Sequence, residues 1–317
     1  MSSPAATILF LAYQQRAYVE DALRSVLGQA CEPVEIILSD DASTDGTFEA
    51  MAAVAHTYRG PHELLVRRNT SNQGIGQHYN TLIACARGQL LVTAAGDDIS
   101  QPDRVARLLA CWRAHGQGVD LITSDLQEIS PQGTPGARID VDDLGAWRTL
   151  ADWCRRRPHV VGAAHAFTRR LHERFGPYDA DLSYEDQVNT LRAILAGGAV
   201  RLAEPLVRYR TGGLSATQRL GSAEALRAQA RRRNRSHLAV HRQWLADATL
   251  AGCAGQITPA IAHDLARELY LASLHPPGPQ HALTTGFPPV RPPPFGWRLK
   301  KALQHRWPTL SARLRRR

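Results

Sequence analysis

The sequence predicts an α/β protein. Its expected core is a Rossmann-like, mostly parallel sheet flanked by helices, and further helices follow toward the C-terminal end. Three observations carry this. Short apolar runs (Ala6–Ala12, Val34–Ser39, Leu90–Ala94) alternate with stretches of 10–15 residues that have helical periodicity. Several of these runs stop abruptly in acids, at Asp40-Asp41 and Asp97-Asp98. After about residue 215 the strand signals cease and long helical stretches take over.

The elements follow in order. Ala6–Ala12 is a buried strand, and Tyr13-Gln14-Gln15 turns the chain. Tyr18–Gln29 carries Val19, Ala22, Leu23, Val26 and Leu27 on one helical stripe. Val34–Ser39 is the second strand. The polar turn from Asp40 to Thr47 then leads into a helix to Tyr58. Leu64–Arg67 is a short strand, Asn69–Gly76 a polar loop, Gln77–Ala86 a helix, and Leu90–Ala94 the fourth strand. Arg104–Ala114 reads as a helix and Val119–Ser124 as the fifth strand. Residues 130–145 read as a loop and Trp147–Arg156 as a helix. Val160–Thr168 is apolar and small, and Tyr184–Ala196 is a helix opening on Glu185-Asp186. Val200–Arg210 reads as two short strands broken at Pro205. Ala223–Leu250 and Pro259–Leu274 are long helices. Residues 276–294 hold eight of the 19 prolines and read as a stiff linker. Phe295–Leu314 is an amphipathic tail, with Pro308 expected to break it.

Composition excludes several classes. With 317 residues, 44% hydrophobic and 21% charged, the chain is globular. No run approaches the roughly 18 apolar residues of a membrane span, and no basic region precedes the first apolar run, so neither a span nor a signal peptide is expected. Five scattered cysteines argue against a zinc site or a disulfide framework and fit a reducing cytoplasm. The net charge is +9, and nine cations lie beyond Glu268, the last acid. A neutral body with a basic tail points to surface tethering and away from nucleic acid.

The acids carry the chemistry. Carboxylates just past the C-terminal ends of strands sit where open α/β sheets bind ligands. Three acidic loops, Asp40/Asp41, Asp97/Asp98 and Glu185/Asp186, are expected to converge, with Asn72–Gly76 between the first two. Around a nucleotide, one carboxylate accepts from base or ribose, one holds a metal on the diphosphate, and one takes a proton from a nucleophile. Each acid has a plainer reading as a helix cap. Gly74-Ile75-Gly76 is a poor dinucleotide fingerprint, since Tyr79 stands at its third glycine. His78 and His159 read as structural. Trp153 and His165 read as structural or as neighbours of an acceptor.

The segments ILFLAYQQRAYVEDALRSVLGQ, EIILSDDASTDGT, NTSNQGIGQHYNTLIACARGQLLVTAAGDDISQPDRV, FGPYDADLSYEDQVNTLRA and AEPLVRYRTGGLS span roughly residues 6–215. In them the chain resembles the inverting family 2 glycosyltransferases, which have the GT-A fold. The resemblance implies a GT-A catalytic domain over residues 1–215. Its nucleotide-sugar half covers about 1–125 and its acceptor half about 126–215. A helical extension (216–275) and the proline-rich linker with its basic tail (276–317) complete the chain.

The resemblance also implies roles. Ala12 and Tyr13 line the base. Asp40 or Asp41 bonds base or ribose. Asn72, Gly74 and Asn80 lie near the nucleotide. Asp97, beside Asp98, binds Mg²⁺ or Mn²⁺ on the diphosphate. Asp186 is the catalytic base, and Tyr184 and Glu185 shape the acceptor side. Two departures stand out: Ala95 replaces the usual first acid of the metal segment, and YRTGG (Tyr209–Gly213) lacks a histidine common in relatives, leaving Arg210 or Arg208 to meet the diphosphate.

The function expected is transfer from a nucleotide-sugar, by family frequency a UDP-sugar, to a glycan or lipid-linked acceptor in bacterial surface polysaccharide synthesis. The alternative, motivated by Ala95, is a non-catalytic binding protein of the same fold. A sugar nucleotidyltransferase would need a basic, glycine-rich N-terminal loop that is missing around Tyr13–Tyr18. The tail reads either as a helix packed on the body or as a peripheral anchor at the inner face of the plasma membrane, with Trp297 and Trp307 at the interface. Arg231-Arg232-Arg233 reads as a solvated face or a lipid or phosphate site.

Overall fold

The computed structural model describes residues 3–212, 222–275 and 284–306. The apolar run Ala6–Ala12 is β1, and it lies inside the sheet. Its parallel neighbours are β2 (Glu35–Asp40) and β4 (Leu90–Ala95), and β3 (Glu63–Arg68) adds beyond β2. The register sets Ala12 beside Asp40 and Leu11 beside Ala95. The turns after these strands therefore leave the sheet at one level, and the first two acidic loops meet there.

The second half of the sheet is mixed. β8 (His165–Thr168) runs antiparallel to both β4 and β6 (Leu121–Ile129), and β9 (Ala199–Arg210) lies parallel to β6. The two-residue β5 (Ile99–Ser100) caps the far edge by pairing antiparallel with β9. The strand order is β3-β2-β1-β4-β8-β6-β9-β5.

Period-2 alternation gives the sheet two covered faces. Ile8, Phe10, Ile36, Leu38 and Val92 face α1 (Val19–Leu27), α2 (Thr47–Thr57) and α4 (Arg104–Ala114). All five residues of the stripe read from the sequence of α1 are buried. Leu9, Ile37, Leu91 and Phe167 face the other core. That core draws on α3 (Ile75–Cys85), α5 (Leu150–Arg155), α7 (Glu185–Ala196), α8 (Ala223–Leu250) and α9 (Ala254–Ser273). Trp153 of α5 meets Trp244 of α8 edge-on at 4.9 Å between ring centres. The C-terminal helices thus share the core that carries α7.

Several elements differ from the sequence reading. The 130–145 stretch is no simple loop: β7 (Pro135–Ile139) pairs back on β6, through a tight turn that Gly133 permits at φ +85°. α6 (Arg169–Phe175) follows β8 in a stretch too short to show a helical stripe. β9 is one strand, and Pro205 falls where its register with β6 shifts at Asp125, so the missing N–H is absorbed by an irregularity. α9 begins at Ala254, ahead of Pro259.

The tail forms α10 (Phe295–Arg306), which packs on the body. Trp297 meets Tyr270 at 5.9 Å, and the Tyr270 hydroxyl donates to the Arg298 carbonyl at 3.0 Å. Trp297 therefore faces α9, which corrects its expected place at a lipid interface. Trp307, Pro308, Leu310, Leu314 and Gly213 lie outside the described residues. Among the described residues no helix is long and apolar enough to cross a membrane.

Candidate active site

The site lies at the carboxyl edge of β1, β2 and β4. Asp40 ends β2 and is wholly buried. Its Oδ1 accepts the Ser43 amide at 2.9 Å and lies 3.4 Å from Nε of Arg68. Its Oδ2 is buried and, among the described residues, has no hydrogen-bond partner. Asp41 is differently employed. Its Oδ1 accepts from the Asn69 side-chain amide (2.7 Å) and the Gln73 amide (2.9 Å), and its Oδ2 accepts the Gly74 amide (3.0 Å). Asp41 thus fixes the Asn69–Gly74 loop, while Asp40 keeps an unused acceptor.

The polar turn after Asp41 is laced to the turn after β1. Gln14 donates its amide to Ser43 Oγ, Gln15 donates to Thr47 Oγ1, and Arg16 donates to Asp45 Oδ2. Gln14 and Ala42 both adopt left-handed φ, +52° and +62°. Strained non-glycine backbone of this kind persists only where its surroundings hold it. Tyr13, half-buried, is presented by this lattice beside buried Ala12.

Gly96 brings the third loop in. A Cβ there would lie 2.6 Å from Oε1 of Gln15 and 3.1 Å from the Ala12 Cβ, so only glycine lets the β4 turn close on Ala12. The next residues, Asp97 and Asp98, are nearly buried. Asp98 Oδ1 accepts the Arg210 amide at 2.8 Å. Burial first, and the charge of Asp97 second, push Asp98 up to about 8, against the pull of Arg104 and Arg210.

Arg210 is a clamp. Its Nε donates to the Asp97 carbonyl (2.9 Å), its Nη1 donates to the Ser130 and Pro131 carbonyls (3.1 and 2.9 Å), and its guanidinium lies over the Tyr18 ring. A buried guanidinium committed to these carbonyls holds the Asp97 turn in place of a diphosphate. Arg208, in register with Ile99, is exposed.

Glu185 and Asp186 open α7. Glu185 is buried and Asp186 half-buried. Asp186 Oδ1 accepts the Gln187 amide at 2.7 Å, and the Gly162 amide also donates to this carboxylate. Burial raises both acids, Asp186 to about 6 and Glu185 further, since the charge of Asp186 adds to its burial. Tyr184 is exposed and leans on His237.

Other candidates separate. Asn72 is exposed on the loop that Asp41 holds, and Gly74 sits at the head of α3 with φ +78°. Asn80, expected beside the nucleotide, is taken up elsewhere: its amide donates to the Tyr178 carbonyl and its oxygen accepts the Tyr178 amide (2.9 and 2.8 Å). Trp153 and His165 are fully buried. His78 is buried against Ser39 Oγ (2.6 Å), in the structural role expected for it. Arg104 and Gly162 escaped the sequence reading. Arg104 is buried, donating to Ser100 Oγ and the Ala163 carbonyl, and nothing in its helical position signals that.

With this geometry in view, the comparisons are decisive. The profile described as "Glycosyl transferase family 2" matches residues 7–170. The chain belongs to glycosyl transferase family 2. It is 28% identical over 138 residues to a putative glycosyltransferase EpsE of Bacillus subtilis, covering 44% of this chain and 49% of that one. It is 27% identical over 236 residues to the succinoglycan biosynthesis protein ExoO of Rhizobium meliloti, covering 70% and 66%. The chain thus spans about half to two thirds of these relatives' lengths. Among solved structures, Staphylococcus aureus TarS 1–349 in complex with UDP-GlcNAc superposes with a TM-score of 0.54 at 16% identity, over 84% of this chain and 81% of that one. The mannosyltransferase PcManGT of Pyrobaculum calidifontis, in complex with GDP-Man and Mn²⁺, superposes with a TM-score of 0.54 at 18% identity, over 98% and 89%. The chain therefore has the fold of GT-A glycosyltransferases and belongs to a family with relatives in polysaccharide biosynthesis.

Proposed function

We propose that the chain moves a sugar from a nucleoside-diphosphate donor, a UDP-sugar, to a hydroxyl acceptor with inversion at the anomeric carbon, in building a bacterial surface polysaccharide. The observation that supports this reading is that Asp40 ends β2, Asp97 follows β4, and Asp186 opens α7 beside Gly162, whose carbonyl accepts from Thr93 of β4. Asp40 offers an unpaired buried oxygen to base or ribose. Asp186 is a partly open carboxylate held by backbone amides, suited to take the proton of the attacking hydroxyl as its oxygen bonds to the anomeric carbon. The nucleoside diphosphate departs from the opposite face.

Asp97 and Asp98 offer only oxygen donors, which suits Mg²⁺ or Mn²⁺. Among the described residues no cluster of three His, Cys, Asp or Glu could hold a metal. A cation here therefore takes Asp97, with Asp98 beside it, and completes its shell from phosphates and water. Bound, it would offset charge on the leaving diphosphate. Uridine is taken first by family frequency; TarS was solved with UDP-GlcNAc and PcManGT with GDP-Man, so GDP is the next base to titrate. The acceptor in this reading is a glycan or a lipid-linked glycan, and the protein works on the cytoplasmic side, in peripheral contact with the membrane through its tail.

A second reading, donor binding without transfer, has Ala95 in its favour. Calorimetric titration with UDP, with and without Mn²⁺, on wild type and Asp97→Ala tests the donor site. Mn²⁺-dependent binding lost in the variant supports it. No UDP binding in either condition overturns the UDP reading, and incubation of a UDP-sugar with acceptor extracts separates transfer from binding alone.

A further inference from the structure

We propose that the outer face of α10, together with the arginines of α8 beside it, docks on an anionic lipid bilayer. Phe295, Leu299 and Leu303 recur every four residues and so share one helix face. They are 72%, 49% and 46% exposed, while Trp297 of the same helix is half-buried and turns inward to Tyr270. The packed face is thus satisfied, and a second apolar stripe is left pointing outward. Lys300 and Arg306, both exposed, flank that stripe.

The charge around it is one-sided. No acid follows Glu268 in the sequence. Arg227 of α8 donates to the His305 and Arg306 carbonyls at 3.4 and 3.2 Å, which joins the arginine-rich end of α8 to the end of α10. Arg231 lies near enough for its charge to help hold His275 and His305 low, behind burial in both cases. Four acids belong to α8 and α9: Asp247 pairs with Arg192, Asp264 with Arg157 and Glu268 with His237, while exposed Glu224 in the first turn of α8 is outnumbered there by Arg227, Arg231, Arg232 and Arg233. The face is therefore cationic and carries an aliphatic and aromatic ridge.

A bilayer fits both features, since headgroup anions meet the cations and the ridge enters the acyl boundary. Leucines at the centre of the patch offer nothing to stack on bases, which argues against nucleic acid. A second copy would set Lys300 and Arg306 against like charges across a two-fold contact. The inference rests on the tail contact of that reading, but none of these residues belongs to the transfer site, so it holds or fails independently of the transfer itself.

Co-sedimentation of the full chain with phosphatidylcholine vesicles, with and without 30% phosphatidylglycerol (roughly the anionic surface needed to attract cations), tests it. Binding is expected only with the anionic lipid and is released by high salt. Lys300→Glu should weaken partitioning at least about fivefold. Leu299→Asp with Leu303→Asp should weaken it at least about tenfold. UDP affinity and circular dichroism, both unchanged, would report that the variants fold. Equal sedimentation with and without the anionic lipid overturns the proposal. So does unaltered binding by both variants, or a dimer in light scattering that the Leu299→Asp, Leu303→Asp variant dissolves.

Discussion

Arg192 of α7 and Asp247 of α8 form an ion pair with no exposed side-chain surface on either partner, Nε to Oδ2 at 2.7 Å and Nη2 to Oδ1 at 3.1 Å. Arg192 also donates to the Gly176 carbonyl at 3.0 Å, and Asp247 accepts from Gln243 as well. The helix that begins with Glu185 and Asp186 is thereby fixed to a helix the sequence places after the catalytic region. Asp247→Ala strands a buried guanidinium. The expected cost is about 3–5 kcal/mol, read from the urea midpoint. A loss below about 1 kcal/mol would show that the pair is not needed to hold α7.

Asp186→Asn should lower turnover by on the order of 10²–10⁴ while UDP affinity stays near that of wild type. Full turnover in that variant would remove Asp186 from the reaction.

The pH dependence follows from the same carboxylate. In the proposed reaction the base acts unprotonated, and burial raises Asp186 to about 6. The rate should fall about tenfold per pH unit below that value and level off above it. Glu185, pushed up to about 8 by burial and by Asp186, still holds its proton across that limb. Glu185→Gln should therefore leave the limb in place, and a limb moved down by a unit would mean that Glu185 is ionised. The linkage sign is the same for both acids. Their raised folded values give a stability contribution that is present below about pH 4 and lost as pH rises through about 6 and about 8.

Much of this architecture is legible in the chain because it is local. The strands ending at Ala12, Asp40 and Ala95 are apolar runs with polar stops, and their parallel pairing follows from the intervening helices. The acids at their ends could be named for the same reason. What escaped is long-range. Asn80 was expected near the nucleotide, and its side-chain amide closes on Tyr178, 98 positions away. Arg210 looked like a phosphate ligand, but its fork reaches the Asp97 carbonyl and the Ser130–Pro131 turn, partners that the β5–β9 and β6–β9 pairings supply. Trp297 sits on an amphipathic helix whose two faces are both apolar in part, so periodicity could not tell which one packs.

Arg210 should therefore behave as a positioning residue. Arg210→Lys keeps the charge but loses the planar fork that serves three carbonyls. It is expected to cost roughly 2–3 kcal/mol of stability and to weaken Mn²⁺-dependent UDP binding, because the Asp97 turn loses its brace. Unchanged UDP affinity with lowered stability would confine Arg210 to the fold.

Gly162 is the residue whose side chain would collide with the acceptor-side acids. A Cβ there would overlap Oε1 of Glu185 and approach the Asp186 Cβ to 3.5 Å, while its amide donates to the Asp186 carboxylate. Gly162→Ala must push the Glu185 carboxylate aside or lift the Gly162–Ala164 turn, and lifting the turn takes with it the amide that holds Asp186. Displacement of a reacting group by about 1 Å costs on the order of 10² in rate. Turnover should fall by that factor with UDP affinity intact, since Asp40, Asp41 and Asp97 lie on other loops. The low-pH limb should also move, because the amide that favours ionised Asp186 is displaced. A rate loss without any shift of the limb would place the defect in acceptor binding instead of in the base.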